Sequence, residues 1–219
     1  MNKHIPLKIT IELANKNVIL SNNPTDGIIA RIYFDLQKEQ GIFNGDYKQK
    51  LDFLTMSDGI YHCSNPIYKI NYIGNDFLVK SFDNDIFYAF GDKPHAQSVH
   101  DNLSGRYKSW LESYETSNVD SVYFYVNGDF DELTRLFKNL RYVGKKASLG
   151  YGKIKKIIIE EIDQDYSLVK DNNAMRHLPA IEKYKDLNNK SKAAMPLTHP
   201  YWKRSGDKSL CVLPERRYF

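Results

Sequence analysis

Asp129-Phe130-Asp131-Glu132-Leu133-Thr134-Arg135-Leu136-Phe137-Lys138-Asn139-Leu140-Arg141-Tyr142-Val143-Gly144 reads as a single helical unit. Asp129 stands where an N-cap is needed, Leu133, Leu136, Phe137 and Leu140 recur on one helical face, and Gly144 is placed to stop the helix. Before it, Val119 to Val126 (Val-Asp-Ser-Val-Tyr-Phe-Tyr-Val) has the β-branched and aromatic character of a strand, and after it Lys153 to Ile162 reads as another. The unit is strand, helix, strand.

Working outward, Leu7-Lys8-Ile9-Thr10-Ile11-Glu12-Leu13 alternates apolar and polar strictly, the period of a half-buried strand. Thr25 is placed to N-cap a helix whose Ile28, Ile29, Ile32, Tyr33 and Leu36 share one face, with Gly41 to end it. The runs Ile67 to Ile73, Phe77 to Phe82 and Ile86 to Phe90, broken by Gly74-Asn75-Asp76 and Asp83-Asn84-Asp85, predict hairpins. Ser104 to Glu115 predicts a further strand, joined to Val119 to Val126 by a short turn. In order, residues 1–162 read β-α-β-β-α-β with hairpins inserted at about residues 64–103. That is an α+β, ferredoxin-like arrangement also used by RNA recognition motifs. Residues 163–219 are less regular and rich in Lys, Asn and Pro, and are expected to wrap this domain as a C-terminal extension.

The composition, 42% hydrophobic and 26% charged, excludes a disordered or collagen-like chain and predicts a real core. No apolar run reaches membrane-spanning length and Met1 to Pro6 leads directly into the first strand, so a soluble cytoplasmic protein is expected. Cys63 and Cys211 stand far apart, with neither a disulfide framework nor a zinc-knuckle spacing. The net charge of +4 hides an asymmetry: residues 1–132 carry −6 and residues 133–219 carry +10. Between Leu133 and Ile159, Arg135, Lys138, Arg141, Lys145, Lys146, Lys153, Lys155 and Lys156 meet no acidic residue. A solvated helix face and strand edge account best for a charge run by itself; what lies within this run turns the balance toward a polyanion partner.

Within that run lies Gly144-Lys145-Lys146-Ala147-Ser148-Leu149-Gly150-Tyr151-Gly152-Lys153. Three glycines allow positive φ and close approach of a ligand to the backbone, and successive amides in such turns form anion sites. The loop leads from a helix into a strand, which excludes both the Walker and the dinucleotide-binding motifs. A plain helix-to-strand turn explains Gly144 as a helix cap but leaves Gly150, Gly152 and the flanking lysines without a reason. The candidate RNA-binding residues are therefore Arg141, Gly144, Lys145, Lys146, Ser148, Gly150, Tyr151, Gly152 and Lys153, with Tyr151 the aromatic placed to stack on a base.

This glycine loop resembles that of the RAMP (repeat-associated mysterious protein) superfamily of CRISPR effector subunits. Gly59 to Ser64, Ser104 to Lys108, Phe124 to Asp129, Gly144 to Gly152, His199 to Trp202 and Cys211 to Pro214 follow in one order. Together they are similar to the five-family Cas subunit of type IV CRISPR effector complexes. The resemblance implies a non-catalytic subunit that holds the 5′ handle of the guide RNA and caps one end of the ribonucleoprotein. The implied partners are the guide RNA, the backbone and large subunits and, in reading a target-adjacent motif, target DNA duplex; no cofactor is implied.

Some RAMP proteins instead cut precursor guide RNA without metal. The candidate acids and bases for that chemistry are His95 and His100, in a Pro-containing polar loop that also suits a protruding thumb. His62, His177 and His199 stand without metal-ligand spacing, and the neighbours Glu160 and Glu161 of a strand point to opposite faces, so no metal site is expected.

Overall fold

The computed structural model describes residues 3–20, 23–80, 110–201 and 208–215. Two compact units divide the chain, one of Met1–Tyr72 with Ser117–Phe219 and the other of Ile73–Thr116. The class is α+β. The main sheet is built from β1 (His4–Leu13), β2 (Asn17–Val18), β5 (Ile67–Lys80), β6 (Trp110–Asp129) and β7 (Ile154–Glu161), after the hairpin β3 (Met56–Ser57) and β4 (Ile60–Tyr61). β1 is central, antiparallel to β6 on one side and to β7 on the other; β5 also pairs with β6.

Strict alternation makes β1 two-sided. Leu7, Ile9 and Ile11 are wholly buried, while Lys8, Thr10 and Glu12 lie on the opposite face. Onto the Leu7 face pack α1 (Asp26–Glu39), through Ile29, Ala30, Ile32 and Phe34, and α2 (Phe130–Phe137), through Leu133, Leu136 and Phe137. Phe124, Val122 and Val126 of β6 complete the layer. Asp129 caps α2 as its position predicts, accepting from the Glu132 amide at 2.8 Å.

Four local expectations differ. The helix after Asp129 ends at Phe137, so Leu140 packs partly buried from a turn and Gly144 is no helix cap. Gly74-Asn75-Asp76 does not turn: β5 runs through it as one 14-residue strand. The expected break between Ser104–Glu115 and Val119–Val126 is likewise absent, because β6 is a continuous 20-residue strand; positions 104–109 lie outside the described residues. In both cases pairing between two long strands overrides local turn chemistry. Thr25 precedes α1 but caps nothing; its hydroxyl donates to the Ser64 carbonyl at 2.8 Å.

Residues after 162 are more regular than expected. β8 (Val169–Lys170), β9 (Asn173–Ala174), β10 (Leu178–Pro179), β11 (Lys192–Met195) and β12 (Ser209–Val212) form a hairpin and a three-stranded sheet ordered β10-β12-β11. Leu168, Ala174, Leu178, Tyr184, Leu187 and Val212 enclose a second apolar cluster around Ile60.

A polar network built on the fully buried Asp26 and Arg176 binds this segment to α1. The Arg176 guanidinium donates to the Tyr61 carbonyl (2.7 Å), the Leu197 carbonyl (2.8 Å) and the Tyr201 hydroxyl (2.9 Å), and lies 3.4 Å from the Asp26 carboxylate. Tyr201 in turn donates to Asp26 at 2.7 Å. Burial pushes the Asp26 carboxyl up, but the Arg176 charge and the His199 and Tyr201 side chains outweigh it and hold it below the usual range. Beside them, burial and the Arg176 charge depress His177 to about 4, against its hydrogen bond to the Pro196 carbonyl.

Asp26→Asn leaves Arg176 charged and uncompensated and should lower the unfolding free energy in urea by about 3–5 kcal/mol, whereas Tyr201→Phe should cost about 1–3 kcal/mol. Equal small losses would show that the pair contributes little. His177 protonates more readily unfolded, near pH 6.5, than folded, near 4. Its contribution is therefore complete above pH 6.5 and is lost as the pH falls toward 4. Urea midpoints for His177→Gln should fall less steeply across that window than those of the wild type.

Candidate nucleic-acid interface

The segment from Arg141 to Lys153 connects α2 to β7 and is held on both sides by backbone pairing. Tyr142 bridges Lys153, Ile154 donates to the Arg141 carbonyl at 3.0 Å, and Lys145 bridges Ile19. A 3-10 turn over Ala147–Leu149 forms the tip. The glycines serve this closure in different ways. A Cβ on Gly152 would stand 1.9 Å from the Val143 carbonyl oxygen, and one on Gly144 would meet Val18 Cγ1 at 2.7 Å and the Ile19 carbonyl oxygen at 2.9 Å. Both have positive φ. Gly150 has φ +86° with open space around its Cα, and its carbonyl accepts from the Asn15 side chain at 2.8 Å.

Two expectations change accordingly. The amides of Val143, Lys145, Leu149, Gly150 and Gly152 donate to backbone carbonyls within the protein, so they do not form an open anion cradle. Gly144 and Gly152 admit neighbouring protein atoms, whereas Gly150 faces open space. Tyr151 is 9% exposed and offers too little surface for a base to stack on; Tyr142, 37% exposed, is the loop aromatic with an accessible ring. The cations fare differently: Arg141, Lys145, Lys146 and Lys153 are all exposed, as is Ser148.

Two of these side chains, Arg141 and Lys145, line a groove of about 420 Å³ between α1 and the loop. Arg31 of α1 and Arg141, Tyr142, Gly144 and Lys145 of the loop line it, with Tyr68 and Tyr201. Sequence spacing could not find Arg31, because it lies on a different element from the basic run; only packing of α1 beside the loop brings it there. The carboxylates of Asp35 and Glu39 also line the groove, against Arg31, Arg141 and Lys145, and Asp35 is already near Arg31 (3.7 Å) and Lys38 (3.3 Å). Such a surface, cationic and carrying a half-exposed aromatic ring, suits a single-stranded polyanion.

A second polar constellation had no sequence signal. Ser57 Oγ lies 2.7 Å from His62 Nε2, and His62 Nδ1 lies 2.9 Å from Asp165 Oδ2. Asn127 and the Ser167 amide also donate to Asp165, at 2.9 and 2.8 Å. Burial raises the Asp165 carboxyl, but these hydrogen bonds more than reverse it, to about 2. The order of groups is that of a hydroxyl, base and orienting carboxylate. Its partners span β3, β6 and the start of the C-terminal segment, so its hydrogen bonds link those elements. His95 and His100 lie outside the described residues, as does Trp202. Among the described residues no cluster of His, Cys, Asp or Glu is arranged to hold a metal, and no helix is long and apolar enough to cross a membrane.

With the geometry in hand, residues 59–212 match the family model of CRISPR type IV associated protein Csf3. The chain belongs to the Csf3 family. The match runs from the Asp58-Gly59 turn of the β3–β4 hairpin to the end of β12, taking in the whole glycine loop. No functionally curated protein matches the sequence. Among solved structures, a chain of the cryo-EM structure of the Type III-B Cmr-beta bound to cognate target RNA is similar over 73% of this chain, at 13% identity and a TM-score of 0.34. This Csf3-family chain spans 61% of that chain's length.

If the glycines admit backbone, their substitutions should separate by position. Gly152→Ala should prevent folding or lower the melting temperature by well over 10 °C, since several kcal/mol of overlap cannot relax at a backbone oxygen. Gly150→Ala should cost about 1–2 kcal/mol, the expense of a left-handed alanine. Comparable melting temperatures for the two variants would contradict the closure described.

Proposed function

We propose that this protein is a non-catalytic subunit of a type IV CRISPR ribonucleoprotein that binds the 5′ handle of the guide RNA along the groove between α1 and the glycine loop. The observation that carries the reading is the convergence of Arg31, Arg141, Lys145 and Tyr142 on one groove. Membership of a CRISPR type IV associated family supports the setting. Phosphates of a short single strand meet the exposed cations, Lys146, Ser148 and Lys153 extending the surface, while Tyr142 supplies the stacking ring. We read the sheet order β7-β1-β6-β5, with α1 after β1 and α2 after β6, as a ferredoxin-like fold. At one end of the cytoplasmic particle, the subunit contacts the backbone and large subunits and the target duplex beside its recognition motif.

The test is guide-RNA binding over a salt series. Arg31→Ala, Arg141→Ala and Lys145→Ala should each reduce the salt slope by about one unit or less and weaken all RNA sequences about equally. Tyr142→Ala should cost about 1–3 kcal/mol with little change in slope. Wild-type affinity in the Arg141→Ala, Lys145→Ala double variant would place the RNA elsewhere. Precursor RNA incubated without metal should remain intact on denaturing gels; cleavage lost on His62→Ala or on His95→Ala with His100→Ala would make the protein a nuclease.

A further inference from the structure

β7 is the last strand of its sheet: one edge pairs with β1, and no described residue pairs with the other between Lys156 and Glu161. The Ile162 amide donates to the Pro6 carbonyl, so the even-numbered backbone groups Lys156, Ile158 and Glu160 face β1. The backbone groups of Ile157, Ile159 and Glu161 therefore face outward. Such an edge is a template for another strand.

The residues on this edge specify which strand. They read Lys155-Lys156-Ile157-Ile158-Ile159-Glu160-Glu161, with both lysines and both glutamates exposed. None of the four forms an ion pair among the described residues. This order is its own charge complement when reversed. We propose that a second copy of this chain pairs antiparallel with β7 about a two-fold axis through Ile158, joining the two sheets edge to edge.

Three features follow from that register. Lys156 faces Glu160 of the second copy, Lys155 comes level with its Glu161, and both contacts occur twice. Ile157 stands opposite Ile159, and both have outward backbone groups, so the two residues exchange hydrogen bonds; Ile158 faces itself at a position that needs none. Directly opposed residues share a face, so the Ile157 and Ile159 pairs lie on the helix side, beside a groove of about 440 Å³ that Phe130 and Phe137 of α2 also line.

Other registers are penalised. Centring on Ile159 sets Ile158 against Glu160 and Ile157 against Glu161. Parallel in-register pairing sets lysine on lysine and glutamate on glutamate. The bulge where β7 passes Glu12 and Leu13 limits the pairing at the lysine end. The charges thus admit one partner orientation and reject indiscriminate edge growth.

The experiment is sedimentation equilibrium of the full chain, freed of nucleic acid by nuclease treatment, across a concentration series. Wild type should show a monomer–dimer equilibrium that weakens with salt. Lys155→Glu with Lys156→Glu (variant one), and Glu160→Lys with Glu161→Lys (variant two), should each weaken dimerisation about tenfold or more, since four attractive contacts become repulsive. An equimolar mixture of the two variants should recover association as a heterodimer, which misfolded protein could not do. A wild type that stays monomeric, or associates only with RNA present, overturns the proposal. So do variants that dimerise like the wild type, and a mixture that fails to restore pairing.

Discussion

A single buried charge pair, Asp26 with Arg176, sets the arrangement on which the remainder of the larger unit depends. Both side chains have zero exposure, and an ion pair taken wholly from water is tolerable only when hydrogen bonds satisfy what the pair leaves over. Tyr61, Leu197 and Tyr201 supply them to both terminal guanidinium nitrogens from the hairpin and the C-terminal segment, leaving only the Arg176 Nε without a partner among the described residues. The first residue of α1 is thereby joined to residues about 150–175 positions away in the chain. Gly27 has no side chain because the Tyr201 ring occupies its space, with Cδ2 3.0 Å from where a Cβ would stand. The direction of α1, and with it the position of Arg31 opposite the glycine loop, follows from this anchor.

The glycine loop shows how one sequence feature can answer to two demands. Gly144, Gly152 and the loop's paired amides are consumed in holding β7, the Asn15–Ile19 segment and Val143 together at van der Waals distance. Its side chains are left for solvent and for whatever anion approaches. Close backbone packing underneath fixes where these side chains start, so an anion that binds them need order side chains but not the backbone. The proposed interface therefore depends on tight glycine packing without any glycine having to touch RNA.

The Ser57, His62 and Asp165 chain makes a related point about polar clusters. Its geometry is that of a hydroxyl, base and orienting carboxylate, and the same contacts join distant parts of the chain. Here the groups bridge three parts of the chain, and Asp165 is saturated with donors. Its hydrogen bonds join the hairpin, β6 and the residues after β7.

Local periodicity alone determined much of this protein: the two-faced β1 from strict alternation, α2 from Asp129 and its Leu and Phe stripe, α1 from its isoleucines, and the basic character of the loop. Those features depend on neighbours within a turn or two, so they survive without knowledge of the fold. The continuous β5 and β6 could not be read, because Gly-Asn-Asp turns locally and is straightened only by a partner strand. The burial of Tyr151, the consumption of the loop amides, Arg31 as a groove residue, and the Asp26–Arg176 anchor were also beyond reach. Each is a contact between residues distant in sequence, and such contacts are set by how layers pack, which no spacing within one segment encodes.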